Sequence, residues 1–232
     1  MVLNAGEGSD SQARSAIETL CRQYWYPLYT FLRRQGKTHH DAEDCTQEFL
    51  GRLLSLNGMA KAKPERGRFR TFLLTSLRNF MTNEWQRGQA AKRGGGQAPL
   101  PLEFDTANER FAREPMDPGL TPEQVFDRNY ALDTITRAIE ALRADYAKSG
   151  REDVFTALRP FLLGNDAAGS MAAPAERLGM NAHAFSVALQ RLRRRLGECL
   201  RDEVGQTVDN EADLDSELRY LIASCGNMAS AG

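Results

Sequence analysis

Apolar positions recur at helical spacing along most of the chain, and no convincing run alternates in the manner of a strand. A first helix is expected from about Ser11 to Arg34, with Ile17, Leu20, Tyr24, Leu28, Phe31 and Leu32 inward. Pro27 lies inside that pattern and should kink or divide it, and Gly36 should end it. A second helix follows from about His40 to Leu54. Ala42, Cys45, Phe49 and Leu53 form its buried stripe, and Asp41, Glu43, Asp44, Gln47 and Glu48 face solvent. Residues 57–67 read as a loop, and a third helix runs from about Phe69 to Gln89 with Phe72, Leu73, Leu77, Phe80 and Met81 inward.

Residues 94–120 carry no clear period. Glycines open the stretch and Pro115 and Pro118 interrupt it, so it reads as a linker. Thr121-Pro-Glu-Gln124 is a helix start: Thr caps, Pro takes the first position and Gln closes a capping box. That helix should reach Lys148, with Val125, Ile135, Ala138, Leu142 and Tyr146 inward. Another spans about Glu152 to Leu163, strained by Pro160. Over residues 171–196, small Ala175, a turn at Gly179, the cap Asn181 and the apolar face Phe185, Ala188, Leu189, Leu192 and Leu196 match helix-turn-helix spacing. Pro174 is tolerable there if the helix begins near Met171 and places it in the first turn. The expected fold is all-α: two small helical domains, residues 10–93 and 121–204, joined by the linker, with an extension at 205–232.

The chain has 232 residues and a formal net charge of −1, so no overall field points to a polyanion. The local distribution does. Glu65 and Glu84 are the only acids from Lys61 to Arg93, and residues 190–201 carry Arg191, Arg193, Arg194, Arg195 and Arg201. Two basic blocks suit two contacts with nucleic acid. Phe69 and Phe80 read as core, and Trp85 as the aromatic more available for base stacking. On the helix after the turn, His183, Ser186 and Gln190 precede Arg191 and Arg194. Early polar side chains can reach base edges while late arginines grip phosphate. An ordinary helical hairpin with solvated arginines is the alternative.

The four cysteines form no C-x-x-C pair, which fits a reducing cytoplasm. No apolar run is long enough to span a bilayer, and residues 1–11 lack a signal-peptide pattern. No metal or cofactor is expected. A nuclease or phosphodiesterase drawing on His39, His40, Asp41 and Asp44 lacks an arranged nucleophile or general base.

The stretch Asp41-Ala-Glu-Asp-Cys-Thr-Gln-Glu-Phe49 is acidic, with no evident basic partner at i+4, so the face is either merely solvated or awaits a basic partner. It resembles the D-A-E-D-x-x-Q-E signature of region 2.2 in extracytoplasmic-function-type sigma factors of the sigma-70 family. The stretch RGRFRTFLLTSLRNFMTNEWQR is similar to regions 2.3 and 2.4, and APAERLGMNAHAFSVALQRLRRRL to region 4.2. The resemblance covers about residues 12–205 and implies a non-catalytic promoter-specificity subunit of RNA polymerase. It implies polymerase binding, on the β′ clamp helices, for Asp41, Asp44, Gln47 and Glu48, with the β flap as a further contact on the polymerase. It assigns −10 recognition and melting to Arg68, Arg70, Asn79, Asn83, Trp85, Arg87, Lys92 and Arg93. It assigns −35 recognition to Asn181, His183, Ser186, Gln190, Arg191 and Arg194. The implied partners are core polymerase and promoter DNA, duplex and melted, with an anti-sigma factor or other regulator left open.

The chain departs from that family at Pro174, where Leu or Ile is usual, at Ser186, where Lys is common, and in its tail. The tail is acidic at Asp209, Glu211, Asp213, Asp215 and Glu217, then apolar at Leu218, Leu221 and Ile222. It reads as a short helix folding back on a basic surface, a regulator's docking site or a frayed terminus. The rival reading of the whole is a helix-turn-helix regulator that acts without polymerase.

Overall fold

A computed structural model describes residues 10–54, 69–87, 104–114, 118–164, 171–208 and 211–226. They form nine α-helices and no strand: α1 (Asp10–Arg34), α2 (His39–Leu54), α3 (Phe69–Arg87), α4 (Phe104–Arg113), α5 (Pro122–Lys148), α6 (Glu152–Leu158), α7 (Ala172–Arg177), α8 (Ala182–Gly205) and α9 (Glu211–Gly226). The all-α expectation holds. No helix among the described residues is long and apolar enough to cross a membrane. The chain divides into two compact units, Met1–Asp133 with Gly205–Gly232, and Thr134–Val204. This division falls inside α5 rather than at residue 121, and the C-terminal extension belongs to the first unit.

In the first unit α1 is the central helix. It runs through Pro27 without dividing, and the hydroxyl of Thr30 donates to the Pro27 carbonyl at 2.9 Å. The pattern of apolar positions called for one inner face, yet residues 26–32 are all buried. Tyrosines make this possible, because each buries a ring and carries a polar tip that finds a partner. Tyr24 stacks on Tyr130 of α5 at 4.7 Å between centroids. Tyr26 donates to Glu114 at 2.6 Å, and its hydroxyl pKa is raised by burial and by that carboxylate. Asn129 of α5 donates to Thr30 at 3.0 Å. On another side α1 meets α2. Gly36, at φ +86, ends α1 with a paired turn, its N–H donating to Arg33 and that of Lys37 to Leu32.

The stretch read as a linker contains α4. It packs in the first unit: Arg33 donates to Asn108 at 2.7 Å and lies over the Phe111 ring at 4.6 Å. The C-terminal extension holds α9, which also packs in this unit. The predicted capping box at the start of α5 is formed, with Thr121 N–H donating to Gln124 Oε1 at 2.8 Å and Gln124 N–H to Thr121 Oγ1 at 3.2 Å.

The second unit closes around Leu142, Phe155, Leu158, Phe161, Phe185, Leu189, Leu192 and Leu196. Phe161 and Phe185 meet edge to face at 5.7 Å. The helix expected over Glu152–Leu163 stops at Leu158. Pro160 sits in a 3-10 turn, Arg159–Phe161, which tolerates the missing N–H better than an α-helix interior. Ile135, expected inward, is half-buried.

Candidate functional site

The second helix starts where a side chain can cap it. Thr38 Oγ1 accepts the Asp41 N–H at 3.2 Å and donates back to Asp41 Oδ2 at 2.7 Å. Asp41 therefore has a structural task, although it stays exposed. Ala42, Thr46, Phe49, Leu50 and Leu53 line the buried side. Thr46 takes the place expected of Cys45, which is half-buried. The Thr46 hydroxyl donates to the Ala42 carbonyl at 2.7 Å, which removes the cost of burying it. Burial pushes the Cys45 thiol up to about 11, with the acids of the same helix adding to it against Lys37.

The outer side of α2 is acidic as expected, but the face does have an i+4 partner: Arg52 reaches Glu48 at 2.8 Å while lying over the Phe80 ring of α3 at 4.9 Å. Asp44 is exposed and makes no hydrogen bond or ion pair among the described residues, and Gln47 beside it is half-exposed. Asp44 is thus the acid of this face most available to an outside cation. At the start of the helix, His39, His40 and Glu43 can bring one ligand atom each within 4.8 Å of one another. The Nδ1 of His39 is already bonded to the Tyr29 hydroxyl at 2.9 Å. Asp44 is not among them.

The basic helix α3 presents a different picture from the one its charge implies. Asn79 and Arg78 are exposed, and Arg78 pairs with Glu123, whose carboxyl is held below its ordinary range by its own backbone N–H and by Arg78 against the effect of burial. Arg70, expected on DNA, is buried at 7% exposure. Its NH1 donates to Asp127 of α5 at 2.6 Å and its Nε to Glu217 of α9 at 2.6 Å, and its guanidinium lies 3.9 Å from the centre of the Tyr220 ring. Burial alone would lower its pKa, but the two carboxylates more than offset that, so Arg70 is firmly cationic. Sequence reasoning missed this site because its acids lie 57 and 147 residues away. The Arg87 backbone ends α3, and Arg68, Lys92, Arg93 and the side chains of Asn83, Trp85 and Arg87 lie outside the described residues.

In the second unit α7 and α8 flank a tight turn. Gly179 has φ +64, its N–H donates to Glu176 at 2.9 Å, and the N–H of Met180 reaches Ala175 at 2.9 Å. Pro174 is the third residue of α7, inside the first turn. Asn181 caps α8 by accepting the Ala184 N–H at 2.8 Å. His183, Ser186, Gln190, Arg191 and Arg194 are exposed. The remaining arginines differ. Arg193 donates to the Phe161 carbonyl at 2.7 Å, and Arg195 pairs with Glu198 and Asp145. Arg194 pairs with Glu198 at 3.9 Å, and Arg191 makes no ion pair among the described residues.

Residues 20–91 match sigma-70 region 2. The chain carries a sigma-70 region 2. The match begins in α1 and takes in α2 and α3, so the acidic helix and the basic helix are parts of one sigma-70 region 2. That region engages RNA polymerase and serves promoter melting, and the family consists of transcription initiation factors rather than enzymes. No curated protein and no solved structure matches the chain.

Proposed function

We propose that this protein is a bacterial promoter-specificity subunit of the sigma-70 family and of the extracytoplasmic-function type, working in the cytoplasm on the nucleoid. The observation that carries the reading is the exposed acid Asp44, without a partner among the described residues, on the region 2 helix whose other side is buried in the core. Asp44, Gln47, Glu48 and the outer part of Asp41 dock on a basic coiled coil of core polymerase, the β′ clamp helices. The basic block from Arg68 to Arg93 holds the −10 element and its opened strand. Residues 171–196 act as a helix-turn-helix on the −35 element, with His183, Ser186 and Gln190 toward base edges and Arg191 and Arg194 on phosphate. The β flap is a further contact on the polymerase. Weak DNA binding by the free chain follows, since two linked modules gain strength only when their spacing is fixed.

The test is retention on immobilised core polymerase. Wild type is retained and Asp44→Arg is lost, because the substitution sets a cation against a basic surface. Failure of wild type to be retained removes the proposal and leaves a helix-turn-helix regulator acting alone.

A further inference from the structure

The last helix meets the basic helix through one buried charge. Of the described side chains of α9, only Glu217 and Leu221 are buried, at 2% and 3% exposure, and Ile222 is 64% exposed. A helix held by so little apolar area belongs to the less stable part of a fold. Two of its polar side chains, Glu217 and Tyr220, converge on Arg70. Glu217 Oε1 accepts from Nε in the guanidinium plane at 2.6 Å. The Tyr220 ring covers that plane at 3.9 Å, and the Tyr220 hydroxyl donates to Asp127 at 2.5 Å. Stability alone does not explain this choice, since apolar side chains often hold such a place as well as a buried ion pair.

An aromatic plane on a guanidinium face and an anionic oxygen at its edge are also what a single nucleic-acid strand offers to arginine. A base stacks on the guanidinium, and phosphate oxygens accept its N–H groups. We infer that α9 is an intramolecular substitute for a nucleotide strand, in which Tyr220 takes the place of a base and Glu217 that of a phosphate on Arg70. The inference rests on assigning the α3 block to the opened promoter strand. It adds that the free chain keeps Arg70 covered, and that α9 and single-stranded DNA exclude each other.

The test uses the full chain and a fluorescent single-stranded DNA of mixed sequence, about a dozen nucleotides long, the upper part of ordinary site sizes. Binding is read by anisotropy. Glu217→Gln and Tyr220→Ala are expected to tighten binding about tenfold, within the usual range of coupling between exclusive states. Arg70→Ala placed in either background returns the affinity to the wild-type value. Hydrogen exchange run alongside should show α9 amides losing protection while those of α1 keep theirs. If a variant loses α1 protection as well, Leu221→Ala replaces it, because it loosens α9 without touching Arg70, and the same criteria apply. Freed α9 amides with no gain in DNA affinity overturn the inference, as does a gain that survives Arg70→Ala. Core-polymerase retention of the same proteins separates the two claims. Retention of wild type without a gain on release of α9 removes the substitute-strand inference alone, whereas loss of wild-type retention removes the sigma reading beneath it.

Discussion

Removing the Asp127 carboxylate should destabilise the first unit by about 3 kcal/mol. Asp127 is 8% exposed and accepts from Arg70 at 2.6 Å and from the Tyr220 hydroxyl at 2.5 Å. In Asp127→Ala the guanidinium stays buried with one of its two carboxylates gone. Breaking a buried pair from one side costs roughly 3–5 kcal/mol. Glu217 remains as a counter-charge, which places the loss at the lower end of that range. The two tryptophans of the chain, Trp25 and Trp85, both belong to the first unit, so urea unfolding followed by tryptophan fluorescence reports that unit separately. With a slope of about 2 kcal/mol/M, the midpoint should fall by about 1.5 M. Asp127→Asn retains an acceptor of the same shape and should lose about half as much. A loss below about 1 kcal/mol for Asp127→Ala would refute the reasoning, since surface pairs behave that way and a guanidinium cut off from water does not.

Gly179→Ala forces a side chain into a left-handed backbone at φ +64, although an added Cβ would meet nothing within 4 Å. The cost is therefore conformational, about 1–2 kcal/mol, and should appear as faster hydrogen exchange of α7 and α8 amides; unchanged exchange contradicts it. Cys45, with its thiol raised to about 11, carries about a hundredth of the thiolate of a thiol titrating near 9 at pH 8. Iodoacetamide should label it about 100-fold more slowly than an exposed cysteine, as followed by mass spectrometry, and labelling at the free-thiol rate would count against its burial.

Local signals carried well from sequence to structure. The Thr121–Gln124 box, the Gly179 turn and the Asn181 cap each depend on residues within a few positions, and each is formed. Residues 26–32 show where local reasoning stops. Periodicity marks one apolar face, while the burial of Tyr26 and Thr30 depends on Glu114 and Asn129, 88 and 99 residues away. Thr46 shows a smaller failure of the same kind: a hydroxyl looks polar by type until its bond to the turn below is counted. Arg70 is the largest case. Charge alone sends every residue of a basic block outward, and nothing near residue 70 announces that acids from α5 and α9 enclose it. Arg193 makes the same point in the second unit, where it serves two backbone carbonyls rather than a phosphate.

The order of the two units along the chain has a topological consequence. Residues 134–204 leave the first unit through α5 and return to it at residue 205, so the second unit is an insertion, a closed loop anchored at both ends. Holding such a loop shut carries an entropic cost that depends only weakly on its length. Residues added within 134–204 should therefore change the closure cost borne by the first unit only slightly.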